Sequence, residues 1–209
     1  MKKEHIIIFA LIILIFAISS YFYPAFPEKI ASHWNAKGNA DSYSSKGTIF
    51  LIPIIALALI VLFLIIPKID PLKQNIKKFE KYYLWFIVVF ILFMFLIQLQ
   101  IILWNLSIGI SPNIIFPIGI AILFFYVSVL LKHTKRNWFI GIRTPWTLSN
   151  DKVWDKTHKL GSQLFLISGI LSFIGIFFSQ YAWLFIIIPV LAFTILLVVY
   201  SYLIYRKMK

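Results

Sequence analysis

Six long apolar runs dominate the chain: Ile6 to Tyr23, Thr48 to Pro67, Tyr82 to Trp104, Ile114 to Leu131, Gln163 to Phe178 and Ala182 to Ile204. No Asp, Glu, Lys, Arg or His interrupts any of them. At 1.5 Å per residue, runs of about 20 residues cross a hydrocarbon core about 30 Å thick. Lipid offers no partners to backbone polar groups, so only helices or closed barrels can cross it, and continuous runs without in/out alternation select helices. The pattern predicts an all-α, polytopic membrane protein, a bundle of six transmembrane helices with both termini on one side.

Composition supports this class and removes others. Hydrophobic residues make up 61% of the 209, charged residues 13%, and mean hydropathy is +0.92. A soluble domain is less apolar and carries about a quarter charged residues. The absence of cysteine removes disulfides, thiolate chemistry and Cys-based zinc sites. The net charge of +13 is distributed by side rather than by motif. Of the 20 Lys and Arg, 17 fall on the side shared by the termini and only Lys29, Lys37 and Lys46 on the other. The positive-inside rule then makes both termini cytoplasmic in a multi-pass protein of the cell membrane. The basic side faces anionic headgroups of the lipid bilayer, and no reading motif points to direct nucleic-acid binding.

Three features of the spans leave alternatives. Lys2 and Lys3 before an apolar run with Ala17-Ile18-Ser19 imitate a signal peptide, but Tyr21, Phe22 and Tyr23 extend it like an interfacial belt, and a retained helix is expected. Pro53, Pro117 and Pro189 recur near the same end of the second, fourth and sixth spans, either as a trace of repeated hairpins or as three separately tolerated kinks. Gln98, Gln100, Asn105, Ser128, Ser168, Ser172 and Thr194 are the polar remainder, expected to bond between helices. Without intramembrane charge an ion-coupled pump is disfavoured.

Two loops carry the remaining information. The outer one contains His33, Trp34, Asn35 and Gly38, with Gly38-Asn39 supplying turn chemistry and Trp34 and Tyr43 read as interfacial anchors. His33, Glu28 and Asp41 lack the spacing of a metal motif. The cytoplasmic loop contains Asn137, Gly141, Arg143, Thr144, Pro145 and Trp146. Proline disfavours helix in the residue before it, so Arg143 to Trp146 is predicted extended or turned. A helix is predicted to start at Ser149 as N-cap, to carry Val153, Trp154, Thr157, Leu160 and Gly161 on one face, and to lie on the membrane before the fifth span. Asp155 with Lys159, and Trp154 with His158, are spaced to meet at i, i+4. Arg143 has two readings: a guanidinium snorkelling to phosphate, or a planar fork anchoring the loop through Asp151, Asp155, helix-end carbonyls or an anionic ligand. His158 has no nucleophile partner of known spacing, and no metal set or carboxylate dyad accompanies it, so neither an enzyme nor a cofactor is expected.

At these residues the chain resembles the SdpI-like immunity membrane proteins. That family pairs a His-Trp-Asn-x-x-Gly element, here His33-Trp34-Asn35 and Gly38, with Asn-x-x-x-Gly-Ile-Arg-Thr-Pro-Trp-Thr-Leu, here Asn137 and Gly141 to Leu148. A downstream Trp and His follow, here Trp154 and His158. The resemblance implies three parts: an N-terminal helical hairpin with its outer loop over 1–67, a basic cytoplasmic linker over 68–81, and a four-helix domain over 82–209 with a motif loop over 132–162. It also implies a non-enzymatic membrane protein that protects its cell against a secreted peptide toxin of the sporulation-delay type and holds a cytoplasmic transcriptional repressor when toxin is engaged. The alternative reading is a small-molecule or lipid transporter with proline-kinked helices around a path.

Overall fold

A computed structural model describes residues 2–208. Six helices are long and apolar enough to cross a membrane: α1 (Lys3–Phe22), α2 (Leu51–Ile69), α4 (Glu80–Asn105), α5 (Pro112–His133), α7 (Asp151–Ile174) and α8 (Leu184–Arg206). Two short helices, α3 (Lys73–Lys77) and α6 (Pro145–Ser149), lie in the connections. The expected all-α, six-span membrane bundle is therefore present. One element departs from it: the loop after α1 folds into an antiparallel hairpin of β1 (Lys29–Trp34) and β2 (Ala40–Ser45). Alternation there is masked by small polar residues, with Ser32 and Ser42 exposed and Ser44 half-buried.

The helix order in space follows α1 and α2 on α4, α4 on α5, α5 on α7 and α7 on α8. α4 is the hub, because its Tyr83, Ile87 and Ile91 recur at i+4 and bury against Ile8, Ile12 and Ile15 of α1 and Ala56 and Ile60 of α2. Large side chains elsewhere remain on the outside, such as Ile13, Leu51, Leu191 and Ile195, as expected where the solvent is hydrocarbon. The basic 68–81 segment is packed rather than extended: Ile76 and Phe79 join the main core, and Asp70 is only 2% exposed.

The polar residues of the spans divide into two groups. Gln98 donates to Ser19 of α1 at 2.9 Å and to the Ile49 carbonyl at 3.0 Å, and Gln100 donates to the Ile110 carbonyl. Ser128 meets Ser162 of α7 at 3.3 Å. The Gln98–Ser19 and Ser128–Ser162 bonds join helices as expected, whereas Gln100 reaches the connection after its own helix. Ser168 and Ser172 instead bond to carbonyls one turn back in their own helix. Of the three recurrent prolines, Pro117 and Pro189 lie inside α5 and α8, whereas Pro53 sits in the first turn of α2, where no intrahelical bond is lost.

Candidate functional site

The loop joining α5 to α7 is a built structure at the end of the bundle that holds both termini. Asn137 is fully buried and organises its first half. Its Oδ1 accepts the Phe139 and Ile140 N–H groups at 2.9 and 2.6 Å, while its Nδ2 donates to the Lys135 and Ile140 carbonyls at 2.8 Å each. One amide thereby holds four backbone groups that a turn would leave unpaired. From the other side of the bundle, Asp70 accepts the Trp138 N–H at 2.9 Å and Asn75 donates to the Arg136 carbonyl at 2.8 Å. Sequence reasoning missed this clamp. Asp70, one of two acids among five lysines between the second and third spans, was the available signal.

Next the chain crosses α7. Gly141 has φ +114°, and a Cβ there would collide with His158 Nε2 and stand 3.3 Å from the Trp154 ring. His158 and Trp154 stack with centroids 4.0 Å apart and planes 18° from parallel, as their i, i+4 spacing predicts. Nδ1 of His158 donates to the Trp154 carbonyl at 2.9 Å and Nε2 accepts the Ile142 N–H at 2.9 Å. The two partners assign the neutral Nδ1–H tautomer, and neither ring nitrogen is free. Ile142 then packs over Gly161, where a Cβ would overlap its Cδ1. Trp154 donates its indole N–H to the Thr134 carbonyl at 3.2 Å.

The Thr-Pro-Trp-Thr stretch is a capped helical turn. Thr144 is extended, as a residue before proline should be, and its Oγ1 accepts the Thr147 N–H while the Thr147 hydroxyl accepts the Thr144 N–H. Pro145 occupies the first helical position, where its missing N–H costs nothing. Thr144 Oγ1 also meets Ser201 of α8 at 3.0 Å, and Trp146 packs on Tyr202 with centroids 5.1 Å apart. The motif thus ties α5, α7 and α8 together.

Several expectations are corrected here. The N-cap of α7 is Asn150, whose side chain accepts the Lys152 and Val153 N–H groups; Ser149 instead ends α6. Asn can satisfy two orphan amides at once, which the serine hydroxyl one residue earlier does not reach. The segment before the fifth span is the first part of α7, which is continuous from Asp151 and buries Val153, Trp154, Thr157, His158 and Gly161 against the bundle. Asp155 pairs with Lys135 at 3.5 Å rather than with Lys159. Arg143 does not reach Asp151 or Asp155. Asp151 pairs with Arg136 Nε at 2.7 Å, and Arg136 also donates to the Leu148 carbonyl at 2.8 Å. Arg143 is exposed and donates once, to the Trp138 carbonyl at 2.8 Å. The anchoring arginine is Arg136.

At the opposite end, the hairpin accounts for its own residues. Asn35 Oδ1 accepts the Lys37 and Asn39 N–H groups, and Gly38 takes φ +82° in the turn. A Cβ on Gly38 would stand 2.9 Å from Ser111 Oγ, so the tip seats on the start of α5, where Asn113 donates to the Ala36 carbonyl at 3.0 Å. Asn105 clasps Ala31 from both sides, accepting its N–H at 2.7 Å and donating to its carbonyl at 3.2 Å. Trp34 packs edge-on against Trp104, with centroids 5.8 Å apart. His33 pairs with Asp41 at 2.6 Å and Glu28 with Lys46 at 2.8 Å, so the three do not converge on a metal.

The loop geometry and its α8 contacts all fall inside one recognisable segment. Residues 133–202 match the SdpI/YfhL protein family. Residues 10–57, which include the hairpin, match a domain of unknown function, DUF1648. Immunity protein SdpI of Bacillus subtilis (strain 168) is 27% identical over 207 residues, covering 99% of this chain and 98% of the relative. No solved structure matches. The matches support the SdpI-like resemblance along the chain, with the Asn137 to His158 loop wholly within the SdpI/YfhL segment.

Proposed function

We propose that this chain is an integral membrane immunity protein of the SdpI type, protecting its cell against a secreted peptide toxin. The observation carrying this reading is the end-to-end similarity to a protein named for immunity, joined to a loop whose buried Asn137, Thr144, Thr147 and His158, and whose Gly141 at positive φ, each have a geometric reason to be that residue. The orientation supports a division of labour. With 17 of 20 cations at the termini end, that end is cytoplasmic and the hairpin end meets incoming toxin.

In this reading the motif loop is the readout. It joins three helices and is clamped by Asp70 and Asn75 from the 68–81 segment, so a toxin that favours one helix packing shifts the loop by its differential affinity for the two arrangements. A cytoplasmic repressor then recognises the exposed Trp138, Phe139 and Arg143 surface. The relative does not favour the transport reading. Expression of the chain in a toxin-sensitive host tests immunity: survival should rise, and unchanged killing by a matched toxin from the same genome would overturn the proposal.

A further inference from the structure

α2 and α5 each pack on α4 rather than closely on one another. Between them, at the termini end, lies an apolar cleft of about 310 Å³. Phe63 and Ile66 of α2, Phe86 of α4 and Val127 of α5 wall it, and Ile142 of the motif loop closes its end. The polar groups beside it are engaged: the Tyr83 hydroxyl donates to the Phe63 carbonyl at 2.8 Å, and the Ile142 N–H donates to His158. Ordered water needs two to four polar partners, so the cleft suits an apolar chain better than water.

The residue after Ile142 is Arg143. Its guanidinium has five donors in a planar fork, and one of them is used, on the Trp138 carbonyl. The nearby carboxylates are taken, Asp151 by Arg136 and Asp155 by Lys135. Trp138 is 50% exposed and Phe139 38% exposed beside it, the side chains that settle at headgroup depth. Arg143 bonds the carbonyl just before Phe139, and Phe139 and Ile142 line the cleft, so a fork with most of its donors unused lies next to apolar walls, the two-part shape that takes a phospholipid's phosphate and chain.

We propose that this chain holds one phospholipid, its acyl chain in the α2–α5 cleft and its phosphate on Arg143. The lipid then packs directly on the motif loop through Ile142. The site shares Arg143 with the proposed readout surface, but lipid retention is measured without toxin or repressor, so its failure and the failure of the immunity reading are distinguishable.

The test uses the full chain in a non-ionic detergent, titrated with phosphatidylglycerol and followed by native mass spectrometry. One retained lipid per chain is expected. Arg143→Gln should weaken retention about tenfold, and Arg143→Lys, which keeps charge but loses the fork, should fall between. Val127→Trp, filling the cleft, should also abolish retention while circular dichroism stays unchanged. If that variant misfolds, a phosphatidylglycerol with a photoreactive acyl chain, crosslinked to the unmodified protein, gives the same answer. Adducts should concentrate on Phe63, Ile66 and Val127, and excess inorganic phosphate should not remove them. Adducts spread evenly over the lipid-facing side of α8, loss of adducts to inorganic phosphate, or undiminished retention by Arg143→Gln would each overturn the proposal.

Discussion

His158 and Ile142 are joined by a hydrogen bond in which a buried imidazole Nε2 accepts a backbone N–H at 2.9 Å, sixteen positions apart in the chain. The bond fastens the motif loop to α7 at the point where Gly141 lets the backbone approach. Replacing His158 with Ala leaves the Ile142 N–H without a partner and empties the stack on Trp154. A loss of about 1–3 kcal/mol is expected from the orphaned amide alone. Thermal unfolding in detergent should show the loss, and hydrogen exchange at the Ile142 amide should rise well above that of its neighbours.

Gly141→Ala tests the approach from the other strand of the contact. The added methyl meets His158 and Trp154, and φ +114° is strained for any residue with a β-carbon. We expect a destabilisation of about 1–3 kcal/mol. A variant as stable as the parent would mean that the loop reaches α7 by another path.

Asn137→Ala and Arg136→Gln separate buried from exposed contributions within the same loop. Asn137 makes four bonds to backbone groups without exposure, and its loss should cost about 3 kcal/mol, the order of an unsatisfied buried cluster. Arg136 faces a largely exposed Asp151, so that pair is worth about 0–1 kcal/mol. Urea or thermal denaturation of the two variants side by side should preserve this order.

Arg143→Ala should change stability by less than about 0.5 kcal/mol, since the side chain is exposed and makes one hydrogen bond. Under the proposed function the same substitution should reduce signalling in a toxin-challenge strain while membrane insertion stays normal. Full signalling would remove Arg143 from the readout surface.

At the other end, Asn105→Ala should release the β-hairpin from α4. Both backbone groups of Ala31 lose their partner, yet the helices that cross the membrane are untouched. Limited proteolysis of reconstituted protein should then cut within 29–45, a segment resistant in the parent, with little change in helical circular dichroism.

The membrane bundle was legible in the sequence because hydrocarbon imposes a local rule. A helix must be long and apolar wherever it crosses, so the runs around α1, α2, α4, α5, α7 and α8 announce themselves without knowledge of their neighbours. Motif chemistry was partly legible for the same reason: the Thr144-Pro145 start of a helical turn and the Trp154–His158 stack depend on spacing within one segment. Which partner each polar residue finds was not legible. Asp70 on Trp138, Asn105 on Ala31, Arg136 on Asp151 and Thr144 on Ser201 join positions from 15 to 74 residues apart. Asn150 displaces Ser149 as the cap by one residue of reach, while Arg136 displaces Arg143 as the anchor from seven positions earlier in the loop. Periodicity states which face of a helix is buried; only the packed helices settle which of two adjacent polar groups lies within hydrogen-bonding distance of a buried amide.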